Sequence, residues 1–186
     1  MDNHEVKVWD PLVRIFHWSL VLAFFIAYFT EDDLLTLHVW AGYTVAGLVA
    51  FRLVWGLIGP RYARFSDFVY PPSEVKRFLR DTLYGRAKRY LGHNPAGGAM
   101  VILMLLSLIL ISFTGIALYG VEEGAGPLAS WQSMGESVEE LLEETHEVLA
   151  NFMLLLVFLH VAGVLIESWL HHENLVRSMF TGRKRP

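Results

Sequence analysis

Apolar residues in this chain gather in four long blocks, separated by short polar or charged stretches. The blocks run roughly over residues 12–30, 34–57, 97–119 and 148–170, the second closing at Gly59-Pro60. Each holds about 20 residues, enough for a helix rising 1.5 Å per residue to cross ~30 Å of hydrocarbon. The pattern predicts an all-α membrane protein, a bundle of four transmembrane helices forming one domain over residues 1–186. The first block follows the lead Val8-Trp9-Asp10-Pro11. It is longer than a signal-peptide core and lacks a small-residue cleavage pattern, so it is expected to stay in the mature protein. No internal repeat or low-complexity segment is visible.

Composition agrees with this reading. Hydrophobic residues make up 54% of the chain and mean hydropathy is +0.39, against about 45–50% apolar in ordinary soluble domains. There are no cysteines, which excludes disulfides, thiolate-bound zinc, iron–sulfur clusters and haem attached through C-x-x-C-H. Metal chemistry, if present, must use histidine, methionine or carboxylates. No nucleic-acid partner is expected; the surrounding partner is membrane lipid.

Charge sets the orientation. The connection between blocks one and two carries Glu31, Asp32 and Asp33, and the one between blocks three and four carries Glu122, Glu123, Glu136, Glu139, Glu140, Glu143 and Glu144. The middle connection is basic, from Arg61 to Arg89, and so is the tail, with Arg177, Arg183, Lys184 and Arg185. All 15 Lys and Arg residues fall on one side of the proposed membrane, counting Arg14 and Arg52 as near it. Because Lys and Arg are retained in the cytoplasm, both termini and the middle connection are expected there. Residues 72–80 read as a short interfacial helix in the cytoplasmic loop, with Phe78 and Leu79 toward lipid and its Lys and Arg toward headgroups. Ser137-x-x-Glu140 fits a capping box, so the fourth helix is expected to begin outside the membrane.

Histidine inside a bilayer costs free energy and points to function. Four of the eight histidines, His17, His38, His146 and His160, lie in or at the edges of the blocks, whereas His4, His93, His171 and His172 read as solvated. Depth pairs the four, with His38 and His146 near the outer face and His17 and His160 near the inner. His146 and His160 are 14 residues apart, a rise of ~21 Å that leaves their side chains within about 40° of one direction. Facing histidines in a helical bundle are a common way to hold a cofactor, and two axial imidazoles on haem iron favour electron transfer over oxygen binding. The alternative for any single histidine is an interhelical hydrogen bond. Ala41, Gly42, Gly47, Gly115, Ala162 and Gly163 would leave room for a flat macrocycle. Arg14, one turn from His17, and Arg52, at the depth of His160, would either pair with haem propionates or snorkel to headgroups. Met100, Met104 and Met153 read as packing, and Trp9, Trp18, Trp55, Tyr119 and Trp169 as interfacial belts.

The lead 8–11 with Arg14-Ile15-Phe16-His17-Trp18 resembles the start of bacterial cytochrome b561-type proteins. So do Phe51-Arg52-Leu53-Val54-Trp55-Gly56, Gly59-Pro60-Arg61-Tyr62-Ala63-Arg64-Phe65 and Gly92-His93-Asn94-Pro95-Ala96-Gly97. The family includes the cytochrome b subunits of nickel–iron hydrogenases, and the resemblance covers essentially the whole chain. It implies a four-helix cytochrome of the bacterial inner membrane with two haem b groups, exchanging electrons with quinone. It also implies His17, His38, His146 and His160 as axial ligands.

Three functions are consistent with these residues. In the first, electrons pass between quinone and a periplasmic redox protein such as a c-type cytochrome, for which acidic outer loops would suit a basic partner. In the second, a superoxide:quinone oxidoreductase, an anionic substrate calls for a positive rim, and the outer side has no Lys or Arg. In the third the chain is a haem-bearing anchor subunit of a hydrogenase-like oxidoreductase. A homodimer is compatible with the sequence and required by none of it.

Overall fold

The computed structural model describes residues 5–30 and 34–186. The acidic cluster Glu31, Asp32 and Asp33, and His4, lie outside the described residues. The fold is an all-α membrane bundle. After a two-residue strand β1 (Val6–Lys7) come α1 (Pro11–Tyr28), α2 (Leu35–Ile58), α3 (Phe65–Phe68), α4 (Pro72–Leu83), α5 (Pro95–Glu123), α6 (Glu136–Leu170), α7 (Leu175–Thr181) and strand β2 (Arg183–Lys184). Among the described residues four helices are long and apolar enough to cross a membrane: α1, α2, α5 and α6. They hide little of their surface from the surroundings, between 11% and 28% of each span's most apolar window. Leu57, Phe158, Leu165 and Trp169 stand more than half exposed. An apolar exterior on this scale is intelligible in lipid and not in water.

The chain divides into two compact units. One comprises 1–18, 50–103 and 157–186, the other 19–49 and 104–156. The first unit contains all fifteen Lys and Arg and eight Asp and Glu, a net charge of fifteen minus eight, or +7. The second contains no Lys or Arg and eleven Asp and Glu, a net charge of −11. The charge asymmetry along the sequence is therefore also a division between structural units.

In the first unit, Asp10 caps α1, its Oδ1 accepting from the Leu12 and Val13 amides (3.0 and 3.2 Å), with Pro11 preset for the first helical position. Val8, Trp9, Val13, Phe16, Phe68 and Phe78 form the buried set. The Trp9 indole donates to Ser178 Oγ at 3.3 Å, and β1 pairs antiparallel with β2, Val6 opposite Lys184. Gly182 ends α7 at φ 78°, a conformation that suits glycine; its carbonyl accepts from the Val8 and Trp9 amides. In the second unit the core is Phe24, Val45, Val49, Leu108, Ala117 and Leu156.

Several expectations need correction. The helix at 72–83 is present, but Phe78 is buried against Tyr90, ring centroids 5.8 Å apart, while Leu79 and Leu83 are exposed. The fourth long helix does start before its apolar block. It begins at Glu136, after Gly135, so Ser137 lies inside the first turn and is not the cap. Trp9 is not an interfacial belt residue. It is buried, and the ring of His93 packs 4.8 Å from it. The solvated reading also fails for His93, whose ring lies 4.5 Å from Phe68, and for His171, which sits largely covered at 3.4 Å from Glu167. Burial first, then the Arg52 and Lys184 cations, hold the His93 imidazole below its ordinary pKa.

Candidate functional site

Each unit contains one pair of intramembrane histidines. In the second, His38 on α2 faces His146 on α6, ring centroids 6.1 Å apart and planes inclined by 74°. In the first, His17 on α1 faces His160 on α6, with centroids 6.4 Å apart and planes at 48°. Two imidazole nitrogens, each about 2 Å from a shared metal, put the ring centroids roughly 6 Å apart. Both separations would suit two imidazoles sharing one metal.

The ring nitrogens of the His38/His146 pair are sorted by their neighbours. His38 Nδ1 lies 2.9 Å from the Ala27 carbonyl. A carbonyl only accepts, so Nδ1 carries the proton and Nε2 is left as the free donor for a metal. His146 Nδ1 lies 3.0 Å from Thr114 Oγ on α5. That hydroxyl is already within reach of the Leu110 and Ile111 carbonyls, at 3.0 and 3.1 Å. Its single proton goes to the helix backbone and a lone pair remains for His146 Nδ1–H. A cleft lined by His38, Gly42, Tyr43, Gly115, Tyr119 and His146 opens at this pair. Gly115 is required by close approach, since a Cβ there would stand 2.8 Å from His146 Cε1. Gly115→Val is therefore expected to turn the His146 ring away, read as a smaller reduced-minus-oxidised haem signal per chain.

The surroundings of the His17/His160 pair are cationic and less satisfied. His17 Nδ1, His93 Nδ1, Arg14 Nε and Arg52 Nη1 are buried without a hydrogen-bond partner. Arg52 is 3% exposed, its guanidinium 4.9 Å above the Phe65 ring and 5.8 Å from that of Phe68. It does not snorkel. Arg14 donates from Nη1 to the Phe180 carbonyl, which ties α1 to α7. The two guanidinium groups, buried donors with unpartnered nitrogens in one unit, fit an anionic acceptor such as the carboxylates of a haem.

Sequence reading missed Thr114 and misplaced His93. Thr114 could have been suspected, as a polar residue in an apolar run next to Gly115. Nothing local marks His93, because its covering residues, Trp9 and Phe68, come from distant segments. Met153 is buried in the core, as expected of packing.

Four apolar spans make this a multi-pass membrane protein, with two facing histidine pairs among them. The chain belongs to the prokaryotic cytochrome b561 family, whose profile matches residues 8–182. It is thus a membrane haem b protein of electron transfer. Comparison with curated proteins and with solved structures gives no match.

Proposed function

We propose that the protein binds two haem b groups, one between His38 and His146 and one between His17 and His160. In this reading it carries electrons between membrane quinone and a periplasmic redox partner such as a c-type cytochrome. The observation that carries this reading is the pair of facing histidines in each unit, separated by 6.1 and 6.4 Å. Haem supplies a one-electron iron couple when bound, and two imidazole ligands leave it no open position for oxygen. The protein's part is to hold the rings, exclude water with apolar helices and balance charge. Arg14 and Arg52 are the proposed partners of the propionates at the His17/His160 pair, supported by their unpartnered buried nitrogens.

Charge supports an orientation in the bacterial inner membrane with both termini in the cytoplasm. The basic connection from Arg61 to Arg89 and the basic tail would lie in the cytoplasm, and the acidic connections, without Lys or Arg, in the periplasm. The same distribution disfavours superoxide as substrate, since an anion would meet a field of its own sign. It favours a basic protein partner.

The test uses protein purified from membranes. Pyridine haemochrome quantitation is expected to give about two non-covalent haems per chain, one for each ligand pair. Quinol is expected to reduce the protein, and a basic c-type cytochrome is expected to exchange electrons with it at rates that fall with added salt. Fast oxidation or reduction by superoxide, with no reaction toward any cytochrome, would defeat the carrier reading.

A further inference from the structure

The two histidine pairs differ in how their distal nitrogens are held. Both members of the His38/His146 pair direct Nδ1 at an oxygen within the protein. His17 Nδ1, by contrast, is buried without a partner. For His38 the acceptor is backbone and cannot be altered by substitution. For His146 it includes one side chain, Thr114, which is 7% exposed and fixed by its own bond to the backbone of α5.

A ligating imidazole that donates its other N–H to a fixed oxygen is held in one tautomer and orientation, and becomes a stronger electron donor to the metal. A stronger donor stabilises ferric over ferrous iron and lowers the midpoint potential. We propose that Thr114 is a positioning residue for His146 that lowers the midpoint potential of the haem at the His38/His146 pair. This rests on the ligand pairing proposed above. Loss of the Thr114 hydroxyl weakens the hold on the ring and leaves Nε2, the ligating atom, untouched, so the expected result is a changed potential with haem retained.

The experiment is a spectroelectrochemical titration of the purified two-haem protein, with low-spin ferric EPR on the same samples. Thr114→Val removes the hydroxyl at nearly constant volume, Thr114→Ala removes it and leaves space, and Thr114→Ser restores it. One of the two midpoints is expected to rise in the Val or the Ala variant, with an altered EPR signal for that haem alone. The other midpoint stays put, and the Ser variant stays close to the unaltered protein. Wild-type potentials in both the Val and Ala variants, with both haems bound, would overturn the proposal. Loss of that haem from both variants, with the Ser variant intact, would also overturn it, because the hydroxyl would then be needed to hold the group and not to tune it. If the unaltered protein lacks a haem at this pair, it is the ligand assignment that fails, and quantitation of the starting material shows this before any variant is compared.

Discussion

Replacing His146 with alanine is expected to leave one haem per chain in place of two, the largest change any single substitution in this protein should produce. The ring faces His38 at 6.1 Å, and no other described residue near the pair offers an imidazole. Alanine is the strongest helix former and α6 runs from Glu136 to Leu170, so the helix should persist while the ligand is lost. The remaining haem should keep its spectrum, because His17 and His160 lie in the other unit. His160→Ala is the mirror experiment and should remove the other haem. Difference spectra and pyridine haemochrome ratios on the two variants check both. If either variant lost both haems while still purifying as a folded monodisperse protein, the pairing by units would be wrong.

The pairing that this experiment tests is legible in the sequence. Four apolar blocks give the number of spans, and depth along them brings His38 level with His146 and His17 level with His160. The 14-residue interval on one helix needs only helical rise and pitch. Three of the four expected spans differ from α1, α2 and α5 by a few residues at each end, which is ordinary fraying of boundaries. The fourth helix extends twelve residues beyond its apolar block, because a run rich in Glu and Leu outside a membrane is helical in its own right.

What stayed hidden is long-range. Trp9 looked like a belt residue because aromatic residues near span ends usually are; its actual partner, Ser178, is 169 positions away. The antiparallel pairing of β1 with β2 joins the two ends of the chain through two residues each, too short to leave a periodic signal. His93 belongs to a motif that fitted the family resemblance, yet its burial depends on Phe68 and Trp9 arriving from elsewhere. The sequence allows Arg52 two fates, and the rings of Phe65 and Phe68, from a distant segment, place it inside. Thr114 needed the partner's atom, since a hydroxyl in an apolar helix ordinarily bonds back to its own backbone.

The same long-range wiring concentrates on Glu173, and its removal should be the most destabilising polar substitution in the chain. The carboxylate is 8% exposed and takes two bonds from Arg89, from Nε at 3.2 Å and Nη2 at 2.9 Å. The Arg185 amide donates to it at 3.2 Å, and Lys184 Nζ, itself buried, stands 3.9 Å away. Glu173→Gln keeps the shape and strands two cations, so it should cost on the order of 3 kcal/mol, the range for breaking one side of a buried pair. Burial alone would push this carboxyl up, but the Arg89 hydrogen bonds and the Lys184 and Arg89 charges outweigh it and hold the group below its ordinary value. A carboxyl with a depressed folded-state pKa contributes stability that is present above the unfolded value, about 4.3, and is lost as pH falls through the folded one. The gap in melting temperature between the unaltered protein and Glu173→Gln should therefore be widest near neutral pH and narrow as pH falls below about 4. A gap independent of pH would mean that packing, not charge, holds the segment that links α6 to α7 and β2.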